Sequence, residues 1–198
     1  MADRRYVVAL TGASGIAYGR RLLECLVRSG ARVHLVVSDA AAKVAAHELA
    51  FPLDPSDGPG VVRALLGEES PRVLYHFWKD LEVPIASGSY RHDGMAVCPC
   101  SGGTLARIAA GASSNLIERA ADVCLKERRR LVLVPRETPL SEIHLENMLR
   151  VTRAGAVVLP ASPGFYAGAD SVEHLVDFVV ARILDQLGVE HTLSKRYG

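Results

Sequence analysis

Short, near-continuous apolar runs alternate along the chain with longer stretches in which apolar residues recur every three or four positions. Tyr6 to Leu10 is such a run; it stops at Thr11-Gly12 and reads as a buried strand feeding a glycine turn. A helix is predicted over Ile16 to Arg28, where Leu22, Leu23, Leu26 and Val27 share a face and Ser29-Gly30 supplies the stop. Val33 to Val37 is the second strand, and Ser38-Asp39 can cap a helix beginning among Ala40 to Ala42. This is a β-α-β unit. Phe51 to Gly60 holds three prolines and two glycines and reads as a loop. Further strands are predicted at Val73 to Tyr75, Met95 to Cys98, Leu131 to Val134 and Ala156 to Leu159. Helices are predicted at Leu105 to Ala110, Leu116 to Arg128, Ser141 to Arg153 and Val172 to Leu187. Apolar strands separated by helices predict an α/β fold: a doubly wound parallel sheet in a three-layer α-β-α arrangement. One domain spanning 1–198 is expected, with a C-terminal tail from about residue 188.

Composition narrows the function classes. The 198 residues include 23 basic and 22 acidic side chains, a net charge of +1, so no global field favours nucleic acid or an anionic membrane. No apolar run approaches the ~18 residues that span a bilayer, and a cytoplasmic protein is expected. Cys25, Cys98, Cys100 and Cys124 lie in apolar segments and form no disulfide framework. Cys98-Pro99-Cys100 lacks a second cysteine pair, and neither His47 nor His144 has metal-ligand spacing, so no metal is assigned.

In doubly wound sheets ligands bind beyond the carboxyl ends of the strands. The residues there are small and polar: Thr11 to Gly15, Ser38-Asp39, Ser101 to Thr104, Arg136 to Thr138, and Gly164 to Tyr166. Two of these loops open helices and carry hydroxyls, an arrangement that offers a phosphate free N–H donors, although glycine and serine are also ordinary turn residues. A dinucleotide motif starting at Gly12 would need glycines at Ser14 and Ala17, and no Gly-Lys-Ser/Thr is present. Tyr75 and Lys79 have the spacing of a short-chain dehydrogenase pair but lie too early. A mononucleotide such as FMN, with one phosphate and a flat ring, suits these loops best. Arg119 and Lys126, two helical turns apart, share a face that could bind an anion, while Arg128 to Arg130 read as a solvated helix end. Glu137 is either a general acid or base or an arginine's counter-ion. Glu48, at a helix C-terminus where a carboxylate opposes the dipole, reads as solvent-facing.

Five segments resemble the UbiX/Pad1 family of flavin prenyltransferases: TGASGIAYG at Thr11, ASGSY at Ala86, CPCSGGTLARIAAG at Cys98, NLIERAADVCLKERRRLVLVPRETPLSEIHLENML at Asn115, and GAVVLPASPGFY at Gly155. They run in family order over nearly the whole chain. The resemblance implies a flavodoxin-like or Rossmann-like fold binding FMN noncovalently. It also implies transfer of a dimethylallyl group from dimethylallyl monophosphate to N5 and C6 of reduced FMN, without a metal. The prenylated FMN then serves a UbiD-type decarboxylase. The resemblance places flavin contacts at Gly12, Ala13, Ser14, Ser38, Ser101, Gly102, Gly103, Thr104 and Arg136. It places the prenyl-phosphate pocket at Lys126, Tyr166 and Arg182, with Ser87, Ser89, Arg119 and Glu137 nearby. Ser14, Glu48, Glu137 and Lys126 fall on positions implicated in the chemistry. Lys126 and Arg182 would stabilise the departing phosphate; the C6 proton could go to Glu137, Glu48 or the phosphate. The family usually assembles as a dodecamer with shared sites, so Arg182 is expected to act across an interface.

Three other readings compete, one of them that such proteins are themselves aromatic-acid decarboxylases, for which the chain offers no obvious residue to activate the carboxylate. An FMN-dependent cysteine decarboxylase of the same wider group would need a histidine after the first strand's loop, where this chain reads Gly15-Ile16-Ala17-Tyr18. A non-catalytic flavin carrier would leave Lys126, Glu137 and Arg182 without a task. Some family members place a tryptophan where the tail reads Lys195-Arg196-Tyr197.

Overall fold

The computed structural model describes residues 4–49, 51–165 and 170–194. The strands are β1 (Arg5–Leu10), β2 (Arg32–Val37), β3 (Val73–Phe77), β4 (Gly94–Cys100), β5 (Leu131–Pro135) and β6 (Val157–Val158). They form one parallel sheet in the order β3-β2-β1-β4-β5-β6, which is the Rossmann order, with the chain reversing direction across the sheet between β1 and β4. The helices are α1 (Ile16–Arg28), α2 (Asp39–Glu48), α3 (Gly58–Leu66), α4 (Gly102–Ala109), α5 (Leu116–Lys126), α6 (Glu142–Arg153) and α7 (Val172–Leu187).

Strand side chains alternate between two cores. Val8 and Leu10 pack with Leu22 and Leu26 of α1, Leu65 of α3 and Leu184 of α7; Val7 and Ala9 pack with Leu105 of α4, Leu116 of α5 and Val151 of α6. Both faces are covered, which is why the strands carry apolar residues at successive positions instead of alternating. Gly19 lets α1 lie directly on β4, since a Cβ there would strike the Cys98 carbonyl oxygen.

Several boundaries differ from the sequence reading. The segment read as a loop up to Gly60 already contains the start of α3. Asp57 caps that helix, accepting the Gly60 amide at 2.9 Å, and Pro59 sits in the first turn, where no N–H is required. Likewise α4 starts at Gly102, three residues before the apolar pattern, because Ser101 supplies the cap. Strand β4 continues through Pro99 to Cys100, β3 extends to Phe77, α5 stops at Lys126, and β6 shrinks to two residues at the sheet edge. Tyr75 and Lys79 form no catalytic pair: the Tyr75 hydroxyl donates to the Pro55 carbonyl and the Lys79 ammonium sits over the Trp78 ring. Among the described residues no helix is long and apolar enough to cross a membrane.

Candidate active site

The crevice at the reversal point is tied together by Thr11. Its hydroxyl donates to the Pro99 carbonyl at 2.9 Å and accepts the Ser101 amide at 2.8 Å, joining the carboxyl ends of β1 and β4. Ser101 then caps α4, its oxygen accepting the Thr104 amide at 3.3 Å. The amides of Gly102 and Gly103, in the first helical turn, have no intrahelical acceptor and lie at the positive end of the helix. Gly12 allows its loop to close on α2, because a Cβ would come within 2.5 Å of the Ala40 methyl. Beside it Ala13 is buried and Ser14 exposed, while Ser38 caps α2 by accepting the Ala41 amide at 3.1 Å.

Arg136 emerges from the end of β5 with its Nε buried and without a hydrogen-bond partner. A buried unpaired donor costs about 1–3 kcal/mol, which an anionic or carbonyl-bearing ligand would recover. Glu137 follows, exposed, with Oε2 3.9 Å from the point a Gly102 Cβ would occupy. His144 Nε2 lies 3.0 Å from that same point. The ring is fixed by a capping box in which His144 Nδ1 accepts the Ser141 amide at 3.2 Å and Ser141 Oγ accepts the His144 amide at 3.3 Å. The other ring nitrogen, Nε2, is therefore the protonated one in a neutral imidazole. The first amides of α4, the His144 ring and the Glu137 carboxylate surround the side-chain-free Gly102, and Arg136, the residue before Glu137, brings an orphaned guanidinium nitrogen to the same end of β5. This set fits a phosphate and the carbonyl edge of a flat ring, as FMN presents.

Glu48 is not a solvent-facing residue without a contact. Its carboxylate accepts the Gly15 amide through both oxygens, at 2.9 and 3.0 Å, and the Ile16 amide at 2.8 Å. It occupies the N-terminus of α1, so the anion site expected there is already taken by the protein's own carboxylate. Of the two helix starts, that of α4 has no side-chain carboxylate on its first amides among the described residues.

The residues assigned to the prenyl phosphate lie elsewhere. Lys126 is at the C-terminus of α5, just before β5 begins, and pairs with Glu127. Glu137 lies beyond the other end of β5, so the five-residue strand, roughly 15 Å long, separates them. Ser87 and Ser89 accompany Lys126, with their hydroxyls 2.9 Å apart. Arg119 is occupied: it donates to the Ala86 carbonyl at 3.0 Å and pairs with Asp122 at 3.1 Å. Arg182 is on α7, across the sheet, paired with Asp185 at 3.2 Å and stacked on Phe178. Within one protomer Lys126 and Arg182 do not meet. Tyr166 and the tail at 195–198 lie outside the described residues.

Sequence reasoning missed three groups. Arg129, read as part of a solvated run, donates to the carbonyls of Gly88 and Tyr90 at 2.5 and 2.6 Å. Tyr90 reaches the buried His34, and His144 closes over Gly102. His144 alone had a local signal, standing three residues after a serine at a helix start.

The Flavoprotein family model matches residues 1–184. The chain is 52% identical to flavin prenyltransferase UbiX of Pseudomonas aeruginosa over 196 residues, covering 98% of this chain and 94% of that protein. It is 51% identical to the enzyme of the same name from Halalkalibacterium halodurans over 193 residues, covering 98% and 93%. Among solved structures, AnUbiX (PadA1) in complex with FMN and dimethylallyl pyrophosphate superposes with a TM-score of 0.87 at 48% identity, covering 98% of this chain and 97% of that one. A dodecameric FMN-dependent UbiX-like decarboxylase from Escherichia coli O157:H7 superposes with a TM-score of 0.84 at 45% identity, covering 98% and 99%. With this likeness running the full length of the sheet and its loops, the chain belongs to the flavoprotein family and, within it, to the UbiX flavin prenyltransferases.

Proposed function

We infer that this protein joins the dimethylallyl group of dimethylallyl monophosphate to N5 and C6 of reduced FMN, without a metal, and releases prenylated FMN to a UbiD-type decarboxylase. It works in the cytoplasm as a homo-oligomer, a dodecamer like the E. coli relative. The whole chain acts as one flavoprotein domain with a tail from about residue 188.

FMN is held by Gly12, Ala13, Ser14, Ser38, Ser101, Gly102, Gly103, Thr104 and Arg136. When bound, reduced FMN supplies the nucleophilic nitrogen and the ring carbon at which the new ring closes. The chain's residues do the rest. Arg136 and the first turn of α4 fix the acceptor by charge and free amides. Lys126, with Ser87, Ser89, Arg119, Tyr166 and Arg182, binds the prenyl phosphate and stabilises the negative charge that grows on it as the allylic C–O bond breaks. Glu137, exposed beside Gly102, is placed to accept or return a proton at the ring edge; Glu48 orients Ser14 by fixing the two amides that follow it.

The observation that carries this reading is the buried, unpartnered Nε of Arg136 at the mouth of the crevice, in a chain about half identical to proteins named flavin prenyltransferase. Because Lys126 stands at the opposite end of the sheet, a complete site takes its phosphate-binding group from a neighbouring copy. The test is anaerobic incubation of the purified protein with reduced FMN and dimethylallyl monophosphate, followed by mass spectrometry. A flavin heavier by one C5H8 unit is expected. Unchanged flavin mass on folded, flavin-loaded protein would assign it as a carrier instead.

A further inference from the structure

The segment from Ala86, which ends a one-turn 3-10 helix (Pro84–Ala86), to Tyr90 has its backbone held at every second carbonyl. The Ala86 carbonyl accepts from Arg119 Nε at 3.0 Å, the Gly88 carbonyl from Arg129 Nη2 at 2.5 Å and the Tyr90 carbonyl from Arg129 Nη1 at 2.6 Å. The fork of a single guanidinium thus spans the two carbonyls flanking Ser89, a geometry its planar, pre-set donors suit. With those carbonyls turned toward cations, the exposed surface of the segment is left to the Ser87 and Ser89 hydroxyls, 2.9 Å apart. Lys126 lies beside Gly88 between them, its Nζ 2.6 Å from where a Gly88 Cβ would stand, and is held there by the Glu127 carboxylate, whose oxygen is 2.4 Å from the same point and which an arriving phosphate would displace from the ammonium.

A second anchor holds the far end. The Tyr90 hydroxyl bonds His34 Nε2 at 2.8 Å, and His34 Nδ1 bonds His76 Nε2 at 2.7 Å. The two imidazoles stack with centroids 5.0 Å apart, and the Arg5 guanidinium covers the other ring of the group, 5.7 Å from the Tyr90 centroid. Burial lowers the His34 pKa to about 4, so the ring is neutral at neutral pH and each bond along the chain carries one proton.

Anions are repelled by carbonyl oxygens and attracted by hydroxyls and ammonium groups, so the direction in which this segment turns its carbonyls decides whether it can cradle a phosphate. We propose that Arg129 is a positioning residue for the prenyl-phosphate site. By pinning the Gly88 and Tyr90 carbonyls away from solvent, it holds the Ser87 and Ser89 hydroxyls and Lys126 as one preformed anion cradle. The inference rests on the assignment of Ser87, Ser89 and Lys126 to the prenyl phosphate. Arg129 itself touches no reacting atom.

Steady-state kinetics of Arg129→Gln and Arg129→Lys, with reduced FMN saturating and dimethylallyl monophosphate varied, test it. Loss of the paired, charge-assisted bonds in Arg129→Gln is expected to raise KM for the prenyl phosphate about tenfold, and the inhibition constant of inorganic phosphate in parallel, with FMN affinity within about twofold of wild type. Arg129→Lys, which keeps the charge but lacks the fork, should fall between. A role in folding alone would lower the yield of active enzyme and leave KM unmoved, so an unchanged KM in folded, FMN-loaded Arg129→Gln overturns the proposal. Should that variant fail to fold, the same criterion applies to Arg129→Lys. If wild-type protein makes no prenylated flavin, the proposed function is what fails; binding of inorganic phosphate, compared by calorimetry between wild type and Arg129→Lys, then decides the inference, with equal affinities overturning it.

Discussion

The Glu48 carboxylate, at the C-terminus of α2, chelates the Gly15 amide with both oxygens at 2.9 and 3.0 Å and thereby caps α1. A carboxylate there is unfavourable for the helix that carries it and favourable for the helix it touches. Gly15 makes the contact possible, since its φ of 111° turns its amide toward α2. Removing the carboxylate in Glu48→Ala is expected to lower stability by about 1 kcal/mol, the usual cost of losing a helix cap. Urea denaturation reads that loss, and hydrogen exchange should show faster exchange at Gly15 and Ile16. A variant as stable and as protected as wild type would contradict the capping role.

Gly102 should separate binding from stability. An added methyl would sit 3.0 Å from His144 Nε2 and 3.9 Å from Glu137 Oε2, in the space assigned to the ligand. The tight approach to His144 offsets the backbone ordering that alanine brings, so Gly102→Ala should leave the melting temperature nearly unchanged while FMN affinity falls about tenfold or more. Fluorescence titration with FMN checks this; undiminished affinity would place the flavin elsewhere.

The separation of Arg136 from Lys126 by the length of β5 predicts complementation between defective subunits. Arg136→Ala and Lys126→Ala homo-oligomers should each be nearly inactive. Dissociated and reassembled together at equal amounts, they should recover about a quarter of wild-type activity, because random pairing leaves that share of shared sites intact. No recovery in mixed oligomers would mean that each site is built from one chain.

Lys126→Ala, and separately Arg182→Ala, should weaken use of the prenyl phosphate while FMN stays bound. Comparing KM for dimethylallyl monophosphate with the FMN dissociation constant distinguishes the two phosphate sites. Loss of FMN in either variant would mean that the sites have been exchanged.

Acid should destabilise the fold through two histidines. Burial first, then the neighbouring His76 and His92, lowers the His34 pKa to about 4; burial and the Arg129 charge do the same for His92. Unfolded, both would titrate near 6.5. The unfolded chain therefore binds more protons between pH 6.5 and 4, so stability is full above that window and falls as the pH drops through it. The slope is at most about 1.4 kcal/mol per pH unit for each histidine. Urea titrations at pH 7.5 and 5 measure it, and His34→Gln should flatten the profile.

Much of this was legible in the order of residues alone. Near-continuous apolar strands dictated a sheet covered on both faces, because that follows from local periodicity, and hydroxyl residues at strand ends marked the helix starts whose backbone donors are proposed to bind a phosphate. Ser38 took the capping position read for it, whereas the caps at Ser101 and Ser141 came from the structure. What the sequence withheld were contacts between distant segments. Glu48 and Gly15 are 33 positions apart and Arg129 and Gly88 are 41 apart, and a carboxylate at a helix end or an arginine in a basic run looks the same whether it faces water or a neighbouring loop. Only the packing of α2 against α1, and of the turn after α5 against the 86–90 segment, decided which charges would be spent on backbone groups and which left for a ligand. Likewise the placement of Lys126 and Arg136 at opposite ends of one strand is a matter of chain direction through the sheet, which no local pattern records.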